Sequence, residues 1–140
     1  MDVHQLRLKN EIVSRHRPVR SRFKTNGIIA TNLYTCLYAD TIEYYKNDHA
    51  ANSGAKYIMV VVDGLSHQAF VRPMYTKTSA ETSRALEDII KRLDLPGHTF
   101  FLTDQGNEFY GDVSRLLEKW GITPHKMTGP HKSSPAERFM

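Results

Sequence analysis

The sequence predicts an α/β domain built on one mixed sheet, and three observations lead there. The first half reads as consecutive extended segments joined by turn residues, and the second half alternates helical and extended patterns. The longest apolar run, Tyr57 to Val62, is short and bounded by turn residues, as in a strand buried on both faces. A hairpin run followed by alternation gives a sheet with a three-strand antiparallel start, then helix and strand in turn, with the helices covering it. At 140 residues the chain is long enough for one domain with a hydrophobic core.

The elements follow in order. Asn26-Gly27 is a turn signal, and β-branched and aromatic residues then fill IIATNLYTCLYADTIEYY, which predicts a first strand across 28–45. KNDHAANSGA is a polar loop, YIMVVVD the second strand, and HQAFVRPMY the third, with Pro73 near its end. Thr78-x-x-Glu81 is a capping box opening a helix whose apolar face is Leu86, Ile89, Ile90 and Leu93, stopped by Leu95-Pro96-Gly97. HTFFLTD is a fourth strand. Asp112 is placed to cap a second helix with Val113, Leu116, Leu117 and Trp120 on one face and Gly121 at its end. ITPHKM is extended, and Ser134-x-x-Glu137 with Pro135 opens a last helix that the sequence leaves three residues later.

Composition removes several classes of function. The longest apolar run is far too short to span a bilayer, and the first residues lack the apolar core of a secretory signal. The one cysteine, Cys36, rules out an intrachain disulfide and a multi-cysteine zinc site, so an intracellular setting is expected. The net charge of +4 is uneven. Residues 1–26 hold seven basic against two acidic side chains, and the other 114 hold 12 basic against 13 acidic. The chain therefore divides into a basic N-terminal tail, residues 1–27, and a core, residues 28–140. A basic arm poor in apolar residues suits nucleic-acid phosphates, and equally suits a solvated linker.

Among the carboxylates of the core, Asp104 ends an apolar strand where the chain leaves the sheet, a favoured place for ligand sites and equally for a turn-capping Asp. Asp40 lies inside the first strand, where a desolvated charge wants a basic or metal partner. Asp63, beside Gly64, is explained by its turn. Glu43 and Glu108 read as solvated, and Glu137 is explained locally as a cap residue.

Taken together, Asp40 in the first strand, Asp104 in TDQGNEF and Glu137 in KSSPAER resemble the catalytic core of retroviral and retrotransposon integrases, the Asp-Asp-Glu recombinases. The resemblance is nearest to the Maverick (Polinton) type, which also carries a His-Arg-Pro stretch like RHRPVRSRFK and a strand ending like VVVDGLS. It runs from about residue 15 to the end. It departs in having 32 residues between Asp104 and Glu137, a few fewer than in retroviral integrases, and 63 between Asp40 and Asp104, which exceeds the usual retroviral gap. No His-His-Cys-Cys zinc module is present.

The resemblance implies a ribonuclease H-like fold, stopped before or within its last helix. It implies DNA end nicking and strand transfer by two Mg²⁺ or Mn²⁺ ions, with Asp40 bridging, Asp104 on one ion and Glu137 on the other. DNA would be the partner, along Arg15, Arg17, Arg20, Arg22, Lys24 and Lys132, with His125, Lys126 and His131 flanking the last loop. A homo-oligomer in the full-length protein and a nuclear location also follow from it. Two other readings stay open: a non-catalytic integrase descendant that binds DNA or protein, and a different ribonuclease H-like nuclease that only hydrolyses.

Overall fold

The apolar run YIMVVVD does form a strand with both faces covered, because Met59, Val60, Val61 and Val62 are all buried. The computed structural model describes residues 29–127 and, outside them, Gln5 alone. Within 29–127 the chain runs β1 (Cys36–Glu43), β2 (Tyr57–Asp63), β3 (Ala69–Met74), α1 (Ser79–Ile90), β4 (Thr99–Thr103), α2 (Asp112–Lys119) and β5 (Ile122–Lys126). Single 3-10 turns lie at Lys46–Asp48 and Asn107–Phe109. The sheet order is β3-β2-β1-β4-β5. β1 pairs antiparallel with β2 and β2 with β3, while β1–β4 and β4–β5 are parallel.

Alternation along the strands sends residues to two faces. Leu37, Ala39, Met59, Val61, Met74, Phe101 and Ile122 form one core with Leu86, Ile89 and Ile90 of α1 and Val113, Leu116 and Leu117 of α2. Each fully buried aliphatic side chain there contributes about 1.5–3 kcal/mol. A second, smaller cluster holds Val60 and Val62 with Tyr38, Ile42, Ile58 and Ala69. Pro73 stands in β3, an edge strand of the sheet, where its missing N–H is tolerated.

Three local expectations need correction. The first strand starts at Cys36, not at residue 28. The Asn32 carbonyl accepts from Thr35 N at 3.4 Å and Thr35 Oγ1 at 2.8 Å, and Tyr34 sits at φ 61 while giving its N–H to Asp63 Oδ1 at 2.8 Å. That turn is held partly by a residue 29 positions away, which no local pattern reveals. Asp112 does not cap α2. Gly111 takes the cap position at φ 62, a conformation that favours glycine, and Asp112 lies inside the first turn paired with Arg115 at 2.8 Å. The Ser79 hydroxyl, from the first residue of α1, accepts Val113 N at 3.4 Å and so serves the orphan amide from across the helix pair. Trp120 leaves the apolar face of α2 and is 38% exposed, since it follows the last helical residue.

The capping box at Thr78 is half made. Thr78 Oγ1 accepts Glu81 N at 3.3 Å, as expected. The Glu81 carboxylate does not reach back to the cap; it accepts Tyr75 N at 2.6 Å, Thr76 N at 2.8 Å and the Thr76 hydroxyl. Those bonds tie down the segment between β3 and α1. Among the described residues no helix is long and apolar enough to cross a membrane.

Candidate active site

β1, which carries Asp40, runs parallel to β4, which Asp104 directly follows. Cys36 pairs with Phe100, Leu37 with Phe101 and Tyr38 with Leu102. The ladder ends there, and Asp40 and Asp104 each lie two residues beyond its last pair. Asp104 directly follows β4, where the chain leaves the sheet and ligands bind, while Asp40 stands within β1.

Each aspartate is oriented by backbone. Asp40 is half-buried, opposite Val60 of β2, and its Oδ1 accepts Thr41 N at 2.7 Å. Asp104 is exposed at the end of β4, and its Oδ1 accepts Gly106 N at 2.9 Å. The turn role weighed for Asp104 is thus real, and it occupies one oxygen. Phe109 anchors the turn: it is 4% exposed and packs edge-on against Phe101, with ring centroids 6.4 Å apart.

Glu108 overturns its sequence reading as a solvated residue. It is 7% exposed, and its Oε1 lies 3.1 Å from Lys77 Nζ. A Cβ on Gly106 would stand 2.6 Å from Glu108 Oε2 and 3.0 Å from Asp104 Oδ1. The two carboxylates therefore approach the same point, and a side chain at 106 would have to displace the Glu108 carboxylate. Lys77 was not singled out by the sequence. Burial pulls its ammonium toward neutrality, but the hydrogen bond and charge of Glu108, and then the charges of Asp104 and Asp40, outweigh that and raise its pKa above the usual lysine value. One ammonium thus sits in the fields of three carboxylates. Its sequence neighbourhood advertised only the Thr78 cap, because its partner is 31 positions away.

Lys126, expected to flank the last loop, is drawn onto an aromatic ring. Its Nζ lies 2.9 Å from the centroid of the Tyr110 ring, a cation–π contact, and is buried with no hydrogen-bond partner among the described residues. His125, by contrast, is exposed. Asp63 is structural as read. It is fully buried, and its oxygens accept Tyr34 N at 2.8 Å, Ser66 N at 2.8 Å and Ser66 Oγ at 2.7 Å. Burial raises its pKa, but those bonds outweigh it and hold the carboxyl below its usual range.

Asp40, Asp104 and Glu108 offer carboxylate oxygens, the hard ligands that Mg²⁺ takes, and Glu108 already pairs with a cation in the form of the Lys77 ammonium. Their chemistry fits a divalent ion. Among the described residues no group of three or more His, Cys, Asp or Glu is gathered to hold one. Glu137, the expected third ligand, lies outside the described residues, as do Arg15, Arg17, Arg20, Arg22, Lys24, His131 and Lys132.

The fold is the ribonuclease H-like mixed sheet of an integrase core: the chain superimposes on the catalytic core domain of BIV integrase with a TM-score of 0.56 and 16% identity. That match covers 75% of this chain and 60% of the integrase core. In sequence, the chain is 34% identical over 76 residues to an uncharacterised transposon-derived protein of Caenorhabditis elegans. The matched stretch is 54% of this chain and 25% of that relative's length. No protein-family model matches the sequence.

Proposed function

We propose that this chain is the core of an integrase-type polynucleotidyl transferase of the Maverick/Polinton kind, which nicks the ends of a mobile element and joins them to target DNA. The observation that supports the reading is the sheet of integrase-core topology, in which β1, carrying Asp40, runs parallel to β4, which Asp104 directly follows. The transposon derivation named for the worm relative supports the mobile-element part.

In this reading Asp40 bridges two Mg²⁺ or Mn²⁺ ions, Asp104 holds one and Glu137 the other. Such ions, when bound, neutralise the attacking and leaving oxygens of a phosphodiester. The chain's own contribution is orientation. Thr41 N–H fixes the Asp40 carboxylate, Gly106 N–H fixes one oxygen of Asp104, and Phe109 holds the turn. Arg15, Arg17, Arg20, Arg22, Lys24 and Lys132 are assigned to phosphate contacts, which position DNA without reading its sequence. A homo-oligomer and a nuclear location belong to the same proposal.

The test is nicking of a DNA end in Mg²⁺ or Mn²⁺, with Asp104→Asn as control. The proposal expects metal-dependent nicking that the variant loses, followed by joining to a second duplex. Equal activity in both proteins refutes it. Salt-sensitive DNA binding without nicking would assign the non-catalytic role instead, and cleavage without joining a hydrolytic nuclease.

A further inference from the structure

Lys77 stands out because nothing in the proposed chemistry requires it, yet its ammonium pairs with a buried carboxylate beside the Asp104 turn. Its ammonium bonds Glu108 Oε1 at 3.1 Å, and Glu108 is almost wholly buried. Glu108 in turn lies against Gly106, whose amide holds Asp104. The segment carrying Lys77 is itself fixed, by the three bonds to the Glu81 carboxylate on one side and the Thr78 cap on the other. A flexible surface lysine has no such support.

We infer that Lys77 is a positioning residue, the counter-ion of the buried Glu108 carboxylate beside the Asp104 turn. It balances converging negative charge while no divalent ion is bound, and it keeps Glu108 turned against the Asp104 turn. Like charges that converge without a counter-charge repel one another and drive protonation or splaying. The ammonium supplies that counter-charge, and its charge opposes the entry of a metal ion. This inference rests on the metal reading of Asp40 and Asp104.

The two residues of the pair then have opposite effects on metal binding. Removing the cation in Lys77→Met takes away the positive charge that opposes a divalent ion. Removing the anion in Glu108→Gln releases the ammonium toward Asp104 and Asp40, where it competes.

The experiment titrates Mn²⁺ into the full chain and reads bound metal by electron paramagnetic resonance, beside wild type, Lys77→Met, Lys77→Arg, Glu108→Gln and Asp104→Asn. The expected result is roughly fivefold tighter Mn²⁺ binding in Lys77→Met and roughly fivefold weaker binding in Glu108→Gln. Lys77→Arg, which keeps the charge, stays near wild type. If Lys77→Met does not fold, Glu108→Gln alone decides, since affinity equal to wild type in that variant overturns the inference. Wild-type binding that Asp104→Asn abolishes but Lys77→Met leaves unchanged overturns this inference and spares the metal reading. Binding that Asp104→Asn does not reduce overturns both.

Discussion

Lys77 and Glu108 form a 3.1 Å ion pair across 31 positions of sequence, one partner half-exposed and the other buried. A buried carboxylate that loses its partner is costly, because the remaining charge is desolvated and unpaired. That pair also fixes how much room the Asp104 turn has, and the nearest consequence concerns the glycine inside it.

Gly106→Ala puts a methyl 2.6 Å from Glu108 Oε2, closer than real contacts allow, and a tight 3.0 Å from Asp104 Oδ1. The Glu108 carboxylate must move, and it is held in place by Lys77 and by burial. The substitution is expected to cost about 1–3 kcal/mol in stability. It should also weaken Mn²⁺ binding at the site. Denaturant unfolding and metal titration of the variant measure both.

Asp40 and Asp104 are proposed to share ions, so their amide variants should fail together. Asp40→Asn and Asp104→Asn are each expected to lower nicking by roughly a hundred- to a thousandfold. The double variant should be little worse than either, since one broken site is already broken. Single-turnover nicking rates for the three proteins check this.

Asp63 makes a prediction about acid stability. Its folded pKa is depressed, so its contribution is fully present above the unfolded value of about 3.9 and is lost as pH falls through the lower folded value. Asp63→Asn turns an N–H₂ toward either Tyr34 N–H or the Ser66 donors and is expected to cost about 2–3 kcal/mol at neutral pH. The gap between wild type and variant should hold from pH 7 to about 5 and close below about pH 4. Urea midpoints across that range measure it.

Thr78→Ala should cost about 1 kcal/mol by removing the cap acceptor for Glu81 N. Glu81→Ala should cost more, since it strands the Tyr75 and Thr76 amides at once. It should also loosen the segment carrying Lys77. Melting temperatures rank the two, and hydrogen exchange at Tyr75 and Thr76 reports the loosening.

Much of this fold is legible in the sequence. YIMVVVD, the Leu86–Ile89–Ile90 face and the Gly121 stop each carry a local physical signal, and each is found where that signal puts it. Asp40 and Asp104 were legible as candidates because a mid-strand Asp and a strand-end Asp are chemically unusual. The turn at 32–35 was hidden because β-branched and aromatic residues favour strand, while the deciding bond goes to Asp63. The Gly111 cap was hidden behind Asp112, a better capping residue by type, because the amide of Val113 is served by Ser79 from another helix. Lys77 was hidden for the same reason: its meaning lies in Glu108, and long-range ion pairs leave no local trace. Glu108 did carry a hint, since it directly precedes Phe109, a core aromatic.

The central claim is that Asp40 and Asp104 hold a divalent ion between them. The most direct measurement is a crystal of the full chain soaked in Mn²⁺, with the anomalous signal collected near the manganese edge. The account predicts a manganese peak between the carboxylates, within about 2.0–2.3 Å of an oxygen of each. A well-ordered site with no peak there, or a peak bound only by residues away from both aspartates, would contradict it.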